Sequence, residues 1–247
     1  MTNNINFSSK SAFSPYVKPA IDEKKSSTTQ AKVETTIQDY KAAICVNVGI
    51  ELSKKDFNRA YQIFANCSSY IERHRPVSAA VNAILGDGLS ARGDHLRGVE
   101  CYVAAIIKQD NEQIRNELRT KIVEILKVSK LVQCAQDLPI LLDFVQILIK
   151  KDIESAMAIF KACVPYIKDR GITASITEKL ADEFSLKKAN VESFDLYAMA
   201  TKFQDNEQIQ VNILMKVGGI FAQFNCLNEQ LKCLRLAYEM QKKLCSA

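Results

Sequence analysis

The spacing of apolar residues along the chain is that of α-helices. Apolar side chains recur every three or four residues, as at Val81, Leu85 and Leu89, which places them on one face of a helix. Residues 140–149 are apolar almost without a break, which predicts a helix that is buried on several sides. The pattern therefore predicts an all-α protein whose helices are joined by short polar turns.

Two prolines interrupt this pattern. Pro139 ends a helix that starts within residues 131–137, so that residues 138–150 are predicted to form a separate helix. Pro165 lies inside another helical pattern and is predicted to kink that helix. The whole chain has only eight glycines and five prolines, too few for sandwiches, barrels or nucleotide-binding α/β folds, which need many tight turns.

The chain contains an internal repeat. The hexapeptide Gln109–Ile114 recurs unchanged at Gln204–Ile209, a shift of 95 residues. Further matched pairs at the same shift are Tyr102 with Tyr197, Ala105 with Ala200, and Lys121 with Lys216. Six identical residues in a row are very improbable by chance in one chain of this length. We therefore predict a duplication that covers about residues 38–133 and 134–228, with a closing helix after it.

A shorter period lies within each predicted copy. Asp56 and Asp94 are 38 residues apart, and so are Asp152 and Asn190. Periods of this size are typical of stacked helix hairpins.

The residues of one hairpin resemble the tetratricopeptide repeat. The resemblance is carried by Leu85-Gly86 and Leu89 in the first helix, Gly93-Asp94 at the turn, and Gly98, Tyr102 and Ala105 in the second helix. Small residues let two helix backbones approach closely, and the aromatic ring fills the space between hairpins. Only residues 76–109 match the family well, and the pattern is looser elsewhere within about residues 38–245. The resemblance implies a right-handed α-solenoid of tetratricopeptide-like hairpins, with about ten to twelve helices.

Three regions follow from these patterns. Residues 1–36 contain eleven Ser and Thr and no helical apolar period, which predicts a disordered tail. Residues 37–133 are predicted as the first tetratricopeptide-like half, and residues 134–247 as the second half with its closing helix. The first twenty-one residues also lack any acidic side chain, which resembles the leaders of bacterial proteins exported by needle-type secretion systems. An ordinary polar tail is the alternative that we favour.

Charge and cysteine content narrow the class of protein. The net charge is +5, from 33 basic and 28 acidic residues that are scattered along the chain, which disfavours nucleic-acid binding. No apolar run is long enough to span a membrane. The eight cysteines include no C-x-x-C pair, and most fall at apolar helical positions, so we expect reduced, mostly buried thiols in a cytoplasmic protein.

The sequence contains no catalytic or cofactor-binding motif. Phosphate-binding loops, nucleophile elbows, dinucleotide fingerprints and zinc-protease motifs are all missing. His74 and His95 are expected in surface turns, and Gly93-Asp94 is expected to end one helix and cap the next. We therefore predict a protein that is not an enzyme and that needs neither a cofactor nor a metal.

The first helices of the hairpins at 76–92, 111–128 and 172–187 are predicted to line a concave groove. The charged side chains on their groove faces are five acids and one lysine, Lys127. We predict that a partner segment binds Asp87, Glu117, Thr120, Glu124, Glu178 and Asp182. An acidic stripe of this kind favours a basic or amide-rich segment of another protein. The alternative is a solvated face that binds nothing.

These patterns predict a protein–protein interaction module that acts as an adaptor or chaperone in the cytoplasm. The alternatives are an effector exported from a bacterium into a host cell, and a fixed scaffold subunit of a larger complex. A fixed subunit would expose large apolar patches when isolated. The pattern leaves the oligomeric state open.

Overall fold

The protein is helical throughout the part of the chain that the structure describes. The computed structural model describes residues 29–246, and side chains for residues 36–245. Within that range it contains α-helices and two short 3₁₀ turns, with no strand, so the predicted all-α class is confirmed. The predicted tail falls largely on residues 1–28, which lie outside the described residues. Helix α1 begins at Thr29, before the boundary predicted at residue 37.

The described chain forms two compact units, which divide between Ile125 and Leu126. The sequence placed this division between residues 133 and 134. The difference arises because the sequence marks a repeat by its turns, whereas a compact unit is defined by packing, and the division falls inside a helix.

The first unit contains α1 to α5 and most of α6. Their bounds are α1 Thr29–Ser53, α2 Phe57–Asn66, α3 Ser68–Arg73, α4 Arg75–Ala91, α5 His95–Lys108 and α6 Glu112–Val128. Helix α4 packs extensively on α5, and α1 packs on α2. The core shared by α1, α2 and α4 contains Ala43, Val46, Phe64 and Val81.

The second unit contains α7 to α12. It comprises a 3₁₀ turn Leu131–Gln133, α7 Asp137–Ile149, α8 Ile153–Cys163, a 3₁₀ turn Val164–Tyr166, α9 Arg170–Leu186, α10 Asn190–Phe203, α11 Glu207–Gln223 and α12 Leu227–Ser246. The pairs α7 with α8, α9 with α10, and α11 with α12 pack most extensively. Leu141, Val145 and Leu148 are fully buried in α7, as its nearly continuous apolar sequence requires.

Close backbone approach in the α4–α5 hairpin depends on glycine. A Cβ atom built on Gly86 would lie 2.7 Å from Cε1 of Tyr102, and one built on Gly98 would lie 3.3 Å from the Gly86 carbonyl oxygen. Tyr102 is itself buried. The expectation that small residues bring these two helices together is therefore confirmed.

The α4–α5 turn differs from expectation in one detail. Gly93 has a φ of +83°, the left-handed conformation that ends α4. Asp94 precedes α5 but makes no capping hydrogen bond with its side chain. Its carboxylate instead lies 3.4 Å from the Arg97 guanidinium, with which it forms an ion pair in the first turn of α5.

Both prolines lie at helix boundaries. Pro139 occupies the first turn of α7, where the N–H that proline lacks would have no helical partner. Helix α8 ends at Cys163, and Pro165 lies in the 3₁₀ turn that follows. The predicted kink at Pro165 is wrong, because the chain ends its helix before the proline instead of bending through it.

The cysteines are less buried than their positions suggested. All eight are free thiols, but only Cys163 is buried, and Cys45 and Cys245 are exposed. Burial raises the pKa of Cys163 to about 12 and is the main cause that raises the pKa of Cys101 to about 11. The prediction of mostly buried cysteines was wrong because a residue in a helical apolar pattern can lie at the edge of the packed face.

The identical hexapeptides have the same local structure. In both, the glutamine side chain accepts a hydrogen bond from the asparagine N–H at 3.0 Å, and the asparagine side chain accepts one from the isoleucine N–H. Arg75 donates to the Ile107 and Lys108 carbonyl oxygens, and Arg170 donates to that of Lys202. Each arginine also pairs with the aspartate of its hexapeptide. The contacts within the hexapeptide and just before it thus recur 95 residues later.

Within residues 29–246, no helix is both long enough and apolar enough to cross a membrane.

Candidate functional site

In the first unit, the predicted site residue Asp87 joins three consecutive helices. Its carboxylate, on α4, accepts a hydrogen bond from the Tyr102 hydroxyl of α5 at 2.6 Å and one from the Lys121 ammonium of α6 at 2.6 Å. The ammonium also lies 5.6 Å from the centre of the Tyr102 ring, within range of a cation–π attraction. We call Asp87, Tyr102 and Lys121 the first triad.

The second unit has an equivalent cluster on α9, α10 and α11. Asp182 accepts a hydrogen bond from the Tyr197 hydroxyl at 2.5 Å and others from the Lys216 ammonium at 2.8 and 2.9 Å. Lys216 also donates to Glu178 at 2.8 Å, whereas Ala83 occupies the matching position of the first unit. We call Asp182, Tyr197 and Lys216 the second triad, and Glu178 adds a second carboxylate to it.

Burial and charge favour one protonation state in both triads. Burial raises the pKa of Tyr102 and of Tyr197 far above the ordinary value, and the neighbouring aspartate raises it further because it accepts the phenolic proton. Burial alone would lower the pKa of Lys216, but its hydrogen bonds to Asp182 and Glu178 raise it above the ordinary value. Each triad is therefore most stable with a neutral tyrosine, and the second with a charged lysine.

We expect the protein to lose stability as the pH rises above about 10, the ordinary pKa of tyrosine. The folded-state pKa of each triad tyrosine lies above that of the unfolded chain, so the stabilisation is fully present below the unfolded pKa and is lost above it. The pH range to compare is about 9 to 11, one unit either side of the ordinary tyrosine pKa. Over this range the free energy of unfolding should fall less in the Tyr102→Phe/Tyr197→Phe double variant than in the wild type, as measured by chemical denaturation. Tyr238→Phe is the control because Tyr238 is exposed. Equal slopes in the double variant and the wild type would contradict this account.

The remaining predicted residues of the first unit lie on α6. Glu117, Thr120 and Glu124 are all exposed. The Thr120 hydroxyl donates to the Asn116 carbonyl oxygen at 2.9 Å, so it is bonded within its own helix. Lys121 is four residues after Glu117 and three before Glu124, and so shares their helix face.

The acidic stripe is less negative than the sequence predicted. Lys121 and Lys216 each pair with a predicted site acid, and neither lysine was among the predicted residues. Their match at the 95-residue shift was the available signal, and Asp87 and Asp182 are matched at the same shift. Glu117 and Glu124 are the exposed acids that remain on α6. The six predicted residues lie in both units, and their sharing of one concave surface stays a prediction.

One structural observation and the comparisons with known proteins bear on the chemistry of the chain. Among the residues that the structure describes, no group of three His, Cys, Asp or Glu side chains is arranged to hold a metal ion. Searches for similar proteins find no matching family model, no matching curated protein and no matching solved structure.

Proposed function

We propose that this chain is a non-enzymatic protein–protein interaction module, an adaptor or chaperone, that holds a partner segment against its first helices. The observation that carries the proposal is the pair of triads. In each unit an aspartate–lysine pair joins the first helix of one hairpin to the next first helix, α4 to α6 and α9 to α11. Joining successive first helices side by side is what forms a continuous binding face in a helical repeat protein.

The proposed architecture is a right-handed, tetratricopeptide-like solenoid with an internal duplication of about 95 residues. Support comes from the adjacent helix pairs, from the glycine-dependent packing of α4 on α5, and from the contacts that recur 95 residues apart. Such contacts are expected when one ancestral segment has been copied, because copied residues keep their local partners.

The proposed partner is a basic or amide-rich protein segment. Glu117 and Glu124 are exposed on α6, and carboxylates at this spacing attract cationic side chains. Exposed charges act mainly on the rate of association and contribute less to the final affinity. The proposed activity uses no cofactor, metal, nucleic acid or membrane span, and its proposed place is the cytoplasm.

The test is an array of peptides rich in Lys, Arg, Asn and Gln, with an acidic array of matched length beside it. We expect binding to the basic array, with association rates that fall as salt is added. The Glu117→Lys/Glu124→Lys variant should associate about tenfold more slowly at low salt while its circular dichroism is unchanged. Glu72→Lys/Glu192→Lys is the matched control, because both glutamates are exposed and lie outside the predicted site. Equal binding to the two arrays, or equal rates for the variant and the control, would contradict the proposal.

A fixed scaffold subunit is the second candidate, and the surface of α12 favours it. Tyr238 is 69% exposed, and Leu227 and Leu231 on the same helix are also exposed. Several large apolar side chains exposed on one helix are typical of a surface that another subunit covers. Purification from the native cell separates the candidates, since a fixed subunit is recovered in a constant ratio to its partners. The further alternative, an exported effector, depends on the leader-like first twenty-one residues, which lie outside the described residues.

A further inference from the structure

Two contacts fix how α1 is aligned with the two helices that follow it. Near the turn between α1 and α2, a Cβ built on Gly49 would lie 3.2 Å from Cγ2 of Ile63 in α2. Farther from that turn, the Arg73 guanidinium of α3 donates a hydrogen bond to the Asp39 carboxylate of α1 at 2.6 Å. Ten residues separate the two contacts on α1, and ten separate them on the side of α2 and α3. The two sides of this hairpin therefore keep one register between the contacts.

Two cysteines lie opposite each other between these contacts. Cys45 is four residues before Gly49, and Cys67 is four residues after Ile63. Four residues are about one helical turn, so both cysteines lie one turn beyond the close approach of α1 to α2. Their thiols are joined by a side-chain hydrogen bond. We call Cys45 and Cys67 the thiol pair.

The two members of the thiol pair differ in exposure. Cys45 is exposed on α1, whereas Cys67, the single residue between α2 and α3, is half-buried. Cys67 packs against the core that contains Ala43 and Val46. Burial is the main cause that raises the pKa of the Cys67 thiol, and the neighbouring Cys45 thiol raises it further. Because oxidants react with accessible thiolates, an oxidant in solution meets Cys45 first.

We infer that the thiol pair is a reversible oxidation site, at which hydrogen peroxide forms a disulfide between Cys45 and Cys67. The Cys45 thiolate attacks one peroxide oxygen, the O–O bond breaks, and Cys45 becomes a sulfenic acid while hydroxide leaves. The Cys67 sulfur then attacks the Cys45 sulfur. The S–S bond forms, and the sulfenic hydroxyl leaves as water with the proton of Cys67. In total the two thiols lose two electrons and two protons, and the peroxide is reduced to two molecules of water.

The packing at Gly49 favours this disulfide. A disulfide requires two Cβ atoms about 3.5–4.5 Å apart, and α1 approaches α2 so closely that a Cβ on Gly49 would lie 2.7 Å from the Phe64 ring. One turn away, rotation of the two cysteine side chains closes the remaining distance between the sulfurs. A dithiol reductant reverses the bond by thiol–disulfide exchange. The thiol pair lies outside both triads, so the site does not depend on the proposed partner binding.

Peptide mapping of the full chain tests the inference. After hydrogen peroxide, alkylation of the remaining thiols and trypsin, we expect the tryptic peptides 42–54 and 60–73, each with one cysteine, to be joined by a disulfide. Dithiothreitol should separate them. In Cys67→Ser the joined peptides should be lost, and Cys45 should stay a sulfenic acid that dimedone traps. Cys245→Ser is the control, because Cys245 is also exposed but lies outside the thiol pair, and it should keep the joined peptides.

The choice of disulfide partner shows whether the fold is responsible. In the folded protein Cys67 should be the partner of nearly all the Cys45 that forms a disulfide, whereas in concentrated urea the other cysteines should compete, because the fold no longer holds the two thiols together. Pairing of Cys45 with other cysteines in the folded chain would overturn the inference. So would peroxide that oxidises Cys245 while the thiol pair stays free. If Cys67→Ser fails to fold by circular dichroism, Cys45→Ser decides, since its Cys67 should then resist peroxide, and oxidation of Cys67 at the wild-type rate would refute the order of steps.

Discussion

Replacing Phe160 by alanine is expected to lower the free energy of unfolding by about 3–5 kcal/mol. Phe160 lies in α8 with only 1% of its surface exposed, next to the buried Ile159 and Cys163. Removing the ring loses its transfer free energy and leaves a cavity that the close-packed helices cannot fill. Urea denaturation followed by circular dichroism measures the change, which suits a chain that has no tryptophan.

Phe224→Ala is the matched control for this prediction, because the side chain of Phe224 is 52% exposed. Its expected cost is at most about 1 kcal/mol. Phe64 in α2 is also buried, with 3% of its surface exposed, so Phe64→Ala should cost about as much as Phe160→Ala. If Phe160→Ala cost no more than Phe224→Ala, the packing of the second unit around α8 would have to be revised.

Replacing Gly86 by valine is expected to destabilise the protein by about 1–3 kcal/mol. The new Cβ would lie 2.7 Å from the Tyr102 ring, and the ring has little freedom because it is buried and its hydroxyl is bonded to Asp87. Valine favours a helix more than glycine does, so a loss of stability would come from the clash. Thermal unfolding followed by circular dichroism measures it.

A second glycine and a second-site change make this experiment specific. Nothing lies within 4 Å of a Cβ built on Gly219, so Gly219→Ala should stabilise α11 by about 0.5–1 kcal/mol. Adding Tyr102→Leu to Gly86→Val should recover part of the loss, because leucine leaves space where the ring was. Additive effects of the two substitutions would show that the contact between Gly86 and Tyr102 does not set the helix spacing.

The sequence predicted the helices, and the packing of one hairpin, where the signal repeats with the period of the helix. The spacing of apolar residues predicted the helices. Gly86, Gly98 and Tyr102 predicted that α4 packs closely on α5, because small and aromatic side chains at helical spacing lie on one face of the helix. The boundaries were less predictable. Helix α8 ends before Pro165, and α1 begins at Thr29. Neither boundary was predicted, because a helix end depends on backbone hydrogen bonds that apolar spacing does not encode.

The candidate site was predictable only in part. Helical spacing identified Asp87 and Asp182 as surface acids on first helices. It could not identify Lys121 and Lys216 as their partners, since those contacts link residues 34 positions apart and depend on how α6 and α11 pack. The burial that shifts the pKa of Tyr102 and Tyr197 is likewise a property of packing. Identical residues at a shift of 95 are the sequence signal closest to such contacts.

The identical connectors Gln109–Ile114 and Gln204–Ile209 have a consequence for how the gene of this chain changes length by recombination. Each links a hairpin to the next first helix through the same side-chain caps and the same arginine contact. Unequal recombination between the two identical segments would therefore rejoin the chain without altering either junction. An exchange there would add or remove one block of 95 residues at a time.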